Sequence, residues 1–206
     1  TVNGAADAVA NAVASTNSTL TKTIDALTGG AGNDTFTATA ASAATQTINA
    51  GDVLTGGDGA DTLSITHSLA GGATTLGTGV QTSGVETLSV NNVTASTVDA
   101  SLMSGLTNIT NNGSLDDLTV SGLTAIPAAS ITATSADTTL TMGATAIVGT
   151  ADEMTVNLNG ASTTSGSTLT AQGIEKFNVN ATGTGSGSIT TGAVTLTSTT
   201  LKDVVI

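Results

Sequence analysis

The sequence contains no cysteine, tryptophan, tyrosine or arginine, and only two phenylalanines. Without cysteine there is no disulfide framework of the kind that holds small secreted domains together, so metal ions are the expected cross-links. Without large aromatic side chains the chain lacks the residues that dominate buried area in most globular cores. We therefore expect a core made of stacked rows of small aliphatic side chains, as in a solenoid.

Basic residues are also scarce, since three lysines stand against fifteen acidic residues and the formal net charge is −12. A chain of this charge has little with which to neutralise phosphate, which excludes nucleic acid and anionic lipid headgroups as partners. No segment approaches the roughly 18 apolar residues needed to cross a bilayer, so we expect no membrane insertion. The excess of carboxylates favours divalent cations instead.

The residues that are abundant indicate short strands. Thr and Ser make up about a third of the chain, and Val, Ile and Leu recur throughout it. This mixture suits pleated, half-buried strands. Twenty-five glycines and a single proline, Pro127, indicate many tight turns between those strands.

Two internal repeats are visible. The segment DALTGGAGNDTF at residues 25–36 returns at residues 52–63 as DVLTGGDGADTL, with eight of twelve positions identical. The segment GVETLSV at residues 84–90 resembles GIEKFNV at residues 173–179, and both alternate apolar with polar residues. Such alternation predicts strands with one face turned inward. We expect Glu86 and Glu175 to have a structural role there, either in capping or in hydrogen bonds between neighbouring coils.

The first repeat contains the pattern Gly-Gly-x-Gly-x-Asp-x-apolar, which is completed by Phe36 and Leu63. Its glycines allow positive φ and leave room for an ion, backbone carbonyls converge, and the aspartate adds negative charge. Carbonyl and carboxylate oxygens are the ligands that Ca²⁺ prefers. The two turns therefore predict calcium binding.

The spacing of the aspartates predicts a short and imperfect roll. With nine residues per half-coil, turns on one edge lie about 18 residues apart. Asp34 and Asp52 then share an edge, and residues 47–52 form a degraded turn. Asp25 and Asp61 share the other edge, but the turn between them has Ala43 in place of aspartate. One to three ions fit this register better than a long ladder.

These turns, GGAGNDTFT at residues 29–37 and GGDGADTLS at residues 56–64, resemble the RTX (repeats-in-toxin) group. The run INAGDVLTGGDGADTLSI at residues 48–65, followed by the GVETLSV and GIEKFNV strands, is similar to bacterial surface-layer proteins of the Caulobacter type. The resemblance implies a secreted structural protein that leaves the cell by type I secretion. It also implies self-assembly into a calcium-dependent two-dimensional lattice on the outer cell surface, with lipopolysaccharide bound by a separate domain outside this sequence.

Carried onto the matching turns, the resemblance implies ligands of two kinds. Two are the carboxylates of Asp34 and Asp61, and the others are backbone carbonyls within residues 29–33 and 56–60, namely those of Gly29, Ala31, Asn33, Gly56, Asp58 and Ala60. Asp25 and Asp52 lie outside the strict motif, and their assignment as calcium ligands rests on the register alone.

The predicted fold class is therefore all-β, a β-solenoid or RTX-like β-roll of short strands. Residues 1–23 are expected to hold a short helix, over the Ala-rich residues 5–14, followed over residues 16–23 by a linker or a first irregular strand. Residues 24–66 form the calcium-binding roll, and residues 67–206 form a Thr/Ser-rich solenoid module. We expect the sequence to be a segment of a longer protein.

Enzyme function is not favoured. His67 is the only histidine, without an HExxH pair or a Gly-x-Ser-x-Gly elbow, and we expect it on a strand facing solvent. We expect the adjacent acids Asp116–Asp117 and Asp152–Glu153 to be solvated residues at the ends of strands. A further Ca²⁺ site is the second interpretation of these pairs, and the carboxylate pair of a glycosidase is the third. Two other functions stay open: an RTX-type adhesin segment that binds a glycan, and the non-catalytic carrier tail of a secreted enzyme.

Overall fold

A computed structural model of the protein describes residues 14–42, 45–68, 74–134, 136–159, 167–182 and 194–206. Within these ranges the chain forms eighteen short strands, β1 to β18 in chain order, and no helix. The helix expected over residues 5–14 falls almost wholly outside the described residues.

The strands form three parallel sheets. The first sheet has nine strands, which in spatial order are β1 (Asn17–Thr19), β3 (Thr35–Ala40), β5 (Thr62–His67), β8 (Thr87–Asn92), β10 (Asn108–Asn112), β12 (Ala128–Thr132), β14 (Glu153–Asn159), β16 (Lys176–Thr182) and β18 (Asp203–Val205). The second sheet has six strands, β6 (Thr74–Leu76), β9 (Ser96–Asp99), β11 (Leu118–Leu123), β13 (Thr138–Met142), β15 (Ser167–Ala171) and β17 (Val194–Thr197). The third comprises β2 (Ala26–Thr28), β4 (Val53–Thr55) and β7 (Gln81–Ser83).

This arrangement is a β-solenoid, which confirms the predicted fold class. Each strand pairs in parallel with the equivalent strand one coil later, and the chain moves from sheet to sheet between them. Alternation within the strands divides inner from outer side chains, as in β3, where Phe36 and Ala38 are buried and Thr37 is exposed. The fold thus follows from the period-two pattern of the sequence.

The core consists of columns in which each inward side chain lies on the equivalent one of the next coil. One column begins with Phe36, Leu63 and Leu88, which are in register across β3, β5 and β8 and are completely buried or nearly so. A neighbouring column contains Ile65 and Val90, both fully buried. This confirms the expectation of stacked rows of aliphatic residues.

The coil length differs from the one predicted. The separation of 18 residues occurs between Thr16 and Asp34, but the next step, from Asp34 to Asp61, takes 27 residues. Later coils are again different, with 25 residues between Asp61 and Glu86. The register of nine residues per half-coil was therefore wrong, because three sheets and variable corners replace the two-sided roll that it assumed.

The first sheet runs without interruption through β5 and β8, on both sides of the expected boundary at residue 66. The division of the chain at that residue stays a prediction. Residues on the two sides share the same columns of buried side chains, so packing continues across it.

Candidate metal centre

The two glycine-rich turns lie directly on one another. Residues 29–34 and 56–61, which we call the stacked turns, are one coil apart. The backbone N–H of Asp58 donates to the carbonyl of Gly30 at 2.9 Å, and the N–H of Ala60 donates to Asn33 Oδ1 at 3.0 Å. Asp34 is therefore aligned with Asp61 rather than sharing an edge with Asp52, which corrects the register derived from the sequence.

Two glycines of the stacked turns, Gly29 and Gly56, are required by the close approach of neighbouring coils. A Cβ atom on Gly56 would lie 1.7 Å from the Gly84 carbonyl oxygen and 2.2 Å from Asp61 Oδ2. A Cβ on Gly29 would lie 2.1 Å from Asp34 Oδ2 and 2.3 Å from the Gly56 carbonyl oxygen. In both places a carboxylate oxygen and a carbonyl oxygen face the space that a side chain would fill. No residue but glycine fits there without displacing backbone.

Three acidic residues form a column at the corner that precedes the first sheet, and we call Asp34, Asp61 and Glu86 the carboxylate column. Each side chain accepts the backbone N–H of the preceding coil. Asp34 Oδ1 accepts from Thr16 at 2.5 Å, Asp61 Oδ1 from Asp34 at 2.7 Å, and Glu86 Oε2 from Asp61 at 2.8 Å. The column thus satisfies backbone donors at a corner where strand pairing has not yet begun.

Asp34 and Asp61 differ in how their second carboxylate oxygen is used. Asp34 Oδ2 accepts the Gly30 N–H, and the N–H groups of Thr16 and Gly30 hold the pKa of Asp34 below its usual range. Asp61 Oδ2 is buried and has no hydrogen-bond partner among the described residues. Burial raises the pKa of Asp61, and the negative charges of Asp34 and Glu86 raise it further. The hydrogen bond from the Asp34 N–H lowers this pKa but does not outweigh the effect of burial. Asp61 is therefore the member of the column whose negative charge is least stabilised by hydrogen bonds.

Asp25 and Asp52 meet at a different corner, where every carboxylate oxygen already has a donor. Asp52 Oδ1 accepts the Asp25 N–H at 2.9 Å and Oδ2 accepts the Asn49 N–H at 2.7 Å. Asp25 receives both the N–H and the hydroxyl of Thr21, at 2.7 and 2.9 Å. This pair holds two coils together by the same N–H to carboxylate contact as the column. Their assignment as calcium ligands stays a prediction.

The oxygen atoms around Asp61 are suitable ligands for a hard cation. Asp61 Oδ2, a buried carboxylate oxygen that accepts no hydrogen bond, and the Gly84 carbonyl oxygen both lie close to the point where a Cβ on Gly56 would be. Two such acceptors are stabilised by a positive ion between or beside them, and oxygen ligands are what Ca²⁺ prefers. Within the described ranges no three His, Asp or Glu side chains group closely enough to bind a metal by themselves. A calcium ion at this corner would thus depend on backbone carbonyls, as expected for the glycine turns.

Glu86 and Gly84 belong to this corner and were not among the residues predicted for it. The signal was present, because Gly84-Val85-Glu86-Thr87-Leu88 continues the pattern of Gly59-Ala60-Asp61-Thr62-Leu63 and of Gly32-Asn33-Asp34-Thr35-Phe36. The third turn was not recognised because it has glutamate in place of aspartate and because its coil is two residues shorter than the one before it. The same contact recurs near the other end, where the Asp152 N–H donates to Glu175 Oε2 at 2.9 Å. The predicted hydrogen bonds of Glu86 and Glu175 between coils are therefore confirmed.

The adjacent acidic pairs, Asp116–Asp117 and Asp152–Glu153, make hydrogen bonds and an ion pair within their own coil or with the next one. Glu153 pairs with Lys176 at 3.2 Å and accepts from Asn178 at 3.0 Å on the outer surface of the first sheet. Asp117 Oδ1 accepts the N–H of Asp137 at 3.0 Å, and Asp116 accepts the N–H of Asp117. These contacts connect acids to the coil framework at the ends of strands.

His67 ends strand β5, as expected of a strand residue, but its predicted solvent exposure was wrong because the side chain is fully buried. It lies at an inner corner with other buried polar residues, among them Asn92, its partner on β8, and Ser114. Neither ring nitrogen has a hydrogen bond of good geometry. Burial lowers the pKa of His67, and the nearby Thr94 backbone opposes this effect only in part.

This histidine predicts a loss of stability in mild acid. Since the pKa of His67 is lower in the folded than in the unfolded chain, the unfolded chain binds the extra proton as the pH falls below about 6.5. Between pH 7.5 and 5.5 we expect the free energy of unfolding to fall by about 1 kcal/mol from this residue. Urea titrations of wild type and His67→Leu in EGTA will measure it. Equal losses in both proteins would contradict the assignment to His67.

Comparison of the chain with protein-family models, with curated proteins and with solved structures gave no match. Among the described residues there is also no helix with the length and hydropathy of a membrane span. Function is therefore inferred from the geometry of the stacked turns and the carboxylate column.

Proposed function

We propose that this protein is a structural component of a secreted bacterial surface layer, stabilised by calcium and assembling with copies of itself on the outer cell surface. The resemblance of the glycine turns to RTX repeats suggested this function. The observation that supports its calcium dependence is the buried, unpartnered Asp61 Oδ2, which lies with the Gly84 carbonyl oxygen beside Gly56 in a stack of glycine turns.

The solenoid supports a structural role. Parallel coils stack into an elongated body whose surface consists largely of short polar side chains. Neighbouring coils are joined by strand pairing and, at several corners, by carboxylate contacts. Such a body resists bending because neighbouring coils contact each other along more than one sheet. That is a mechanical property suited to the repeating unit of a surface lattice.

Calcium would supply two things to this body. Bound near Asp61, it would neutralise the carboxylate that burial destabilises and so hold adjacent coils together. It would also reduce the repulsion between copies of a chain that carries a net charge of −12. Extracellular calcium modules bind with dissociation constants on the order of 10⁻⁴–10⁻³ M, a range in which the ion concentration outside the cell controls occupancy.

Electron microscopy with negative stain tests the assembly. We expect ordered sheets after dialysis into millimolar Ca²⁺ and dispersed particles in EGTA, because the ion lowers repulsion and stiffens the coils. Mg²⁺ at equal concentration is the control for simple charge screening. Dispersed rods in all three conditions would contradict a surface layer and would favour the adhesin segment or the carrier tail.

A further inference from the structure

The outer surface of the first sheet is neutral over most of its length. The outward side chains of β1, β3, β5, β8, β10 and β12 include no charged residue, and all but one are Thr, Ser or Asn. We call these residues the neutral face: Asn17, Thr19, Thr35, Thr37, Thr39, Thr62, Ser64, Thr66, Thr87, Ser89, Asn91, Asn108, Thr110, Asn112, Ala128, Ser130 and Thr132. Of these, Ser130 is buried. The chain carries fifteen acidic residues and a net charge of −12, and this surface includes none of those acids.

Charge borders the neutral face on three sides, and the first of these is the carboxylate column, whose Glu86 is half-buried directly before the start of β8. Along the same sheet, β14, β16 and β18 begin with Glu153, Lys176 and Asp203, which are in register with one another. The second sheet also has a row of outward threonines, but the Asp99 side chain stands next to it, in register with Ser121. The second sheet is therefore a poorer surface for the close approach of another acidic molecule.

Hydrogen bonds between side chains order part of the neutral face. Asn108 Nδ2 donates to Thr110 Oγ1 and Ser130 Oγ donates to Asn108 Oδ1, both at 2.9 Å. Asn91 Nδ2 donates to the carbonyl of Asn112 at 2.6 Å on the next coil. Side chains that are already fixed lose little conformational entropy on binding, so the surface is preorganised for a partner.

The size of the face suits a weak, repeated contact. Six strands about 4.8 Å apart, each presenting about five residues at 3.3 Å, give about 500 Å² on each copy. Two such faces would bury about 1,000 Å² in total, which is near the lower limit for specific protein interfaces. Contacts of this strength become effective when each molecule makes several of them, as in a lattice.

We propose that the neutral face is the surface by which two copies of this chain associate side by side. The inference rests on the proposed self-assembly and specifies its contact. Charge favours this partner, because two chains of net charge −12 repel least where the side chains that face each other are uncharged. A neutral glycan is the other candidate, but Phe36 and Phe177, the two aromatic residues that could offer a sugar a flat apolar surface, are buried in the core.

Single-thiol cross-linking tests this contact, since the chain has no cysteine of its own. Ser89 lies near the middle of the neutral face, and Ser121 is a matched outward serine on the second sheet; both are half-buried. With a short bis-maleimide we expect Ser89→Cys protein to form covalent dimers at least about tenfold faster than Ser121→Cys protein. Equal rates would overturn the proposal, and so would protection of the Ser89→Cys thiol by a neutral polysaccharide rather than by a second copy.

Charge substitution gives an independent measurement. Ser89→Glu should abolish side-by-side association in sedimentation velocity, while Ser121→Glu should retain it. Mixing Ser89→Glu with Ser89→Lys protein should restore association, because opposite charges then meet across the contact. Association of Ser89→Glu protein at the wild-type level would overturn the proposal even if calcium-dependent sheets form. If no calcium-dependent sheets form but Ser89→Cys protein still cross-links preferentially, the surface-layer function would be contradicted and the contact through the neutral face would stand.

Discussion

Replacing Gly56 with alanine is expected to lower the free energy of unfolding by about 3 kcal/mol or more. The added Cβ would lie 1.7 Å from the Gly84 carbonyl oxygen and 2.7 Å from the Gly84 carbonyl carbon. Neither atom is the end of a flexible side chain, so the coils themselves must separate. Separation would also break the Gly56 N–H bond to the Ser83 carbonyl.

Gly30→Ala is the matched control, because it is the same substitution in the equivalent motif of the preceding coil. A Cβ on Gly30 would have no atom within 4 Å, and its φ lies outside the left-handed region. We expect its stability to change by less than about 1 kcal/mol, with a small gain from the stiffer unfolded chain. Urea unfolding in Ca²⁺ and in EGTA compares the two proteins. Similar midpoints for both variants would mean that the coils do not approach as closely as described.

Calcium is expected to stabilise the protein through Asp61, and Asp61→Asn should remove that stabilisation. At free Ca²⁺ about 100-fold above the dissociation constant, one site adds roughly 2.7 kcal/mol to the folded state. For a chain of this length that corresponds to a rise in melting temperature of about 5–10 °C. We expect the rise in wild type and less than a third of it in the variant, measured by scanning calorimetry.

The same substitution should have the opposite effect in EGTA. Asparagine keeps an acceptor for the Asp34 N–H but removes the charge that burial and two neighbouring carboxylates disfavour. Without the ion, Asp61→Asn protein should therefore be at least as stable as wild type. A purely structural role for Asp61 would lower stability equally with and without calcium.

Asp58→Asn is the control for charge alone, since it removes one carboxylate from the same turn where the side chain is exposed. Its calcium-dependent rise in melting temperature should match that of wild type within about 2 °C. An unchanged rise in Asp61→Asn protein would contradict the metal centre, whatever the behaviour of Asp58→Asn.

The fold could be predicted from local patterns because its signals are local. Alternation such as that of residues 84–90 determines which side chains turn inward, and the scarcity of aromatics leaves columns of small residues as the only available core. The repeated glycine turns also revealed that residues 29–34 and 56–61 are equivalent. These features need no knowledge of distant contacts, since a strand in a parallel solenoid pairs with the next copy of its own pattern.

The register could not be predicted in the same way. Coil length depends on how many residues each corner holds, and corners between three sheets vary where a two-sided roll would not. The assumption of nine residues per half-coil therefore paired Asp34 with Asp52, whereas packing pairs it with Asp61. For the same reason Glu86 was missed, because its coil is two residues shorter than the one before it. The burial of His67 likewise depends on the inner corner and has no signature in the residues beside it.

The contact from Asp61 to Glu86 and the contact from Asp152 to Glu175 are the same joint used twice, once near each end of the solenoid. In both, the glutamate carbonyl then receives two N–H groups from the start of the next strand, those of Thr107 and Asn108 in one case and of Lys202 and Asp203 in the other. Because this chain of hydrogen bonds begins and ends on backbone groups, it can form whatever the number of residues in the coil on either side. Coils can therefore be gained by duplication or lost by deletion without redesign of their neighbours, and the length of the protein is free to evolve independently of its cross-section.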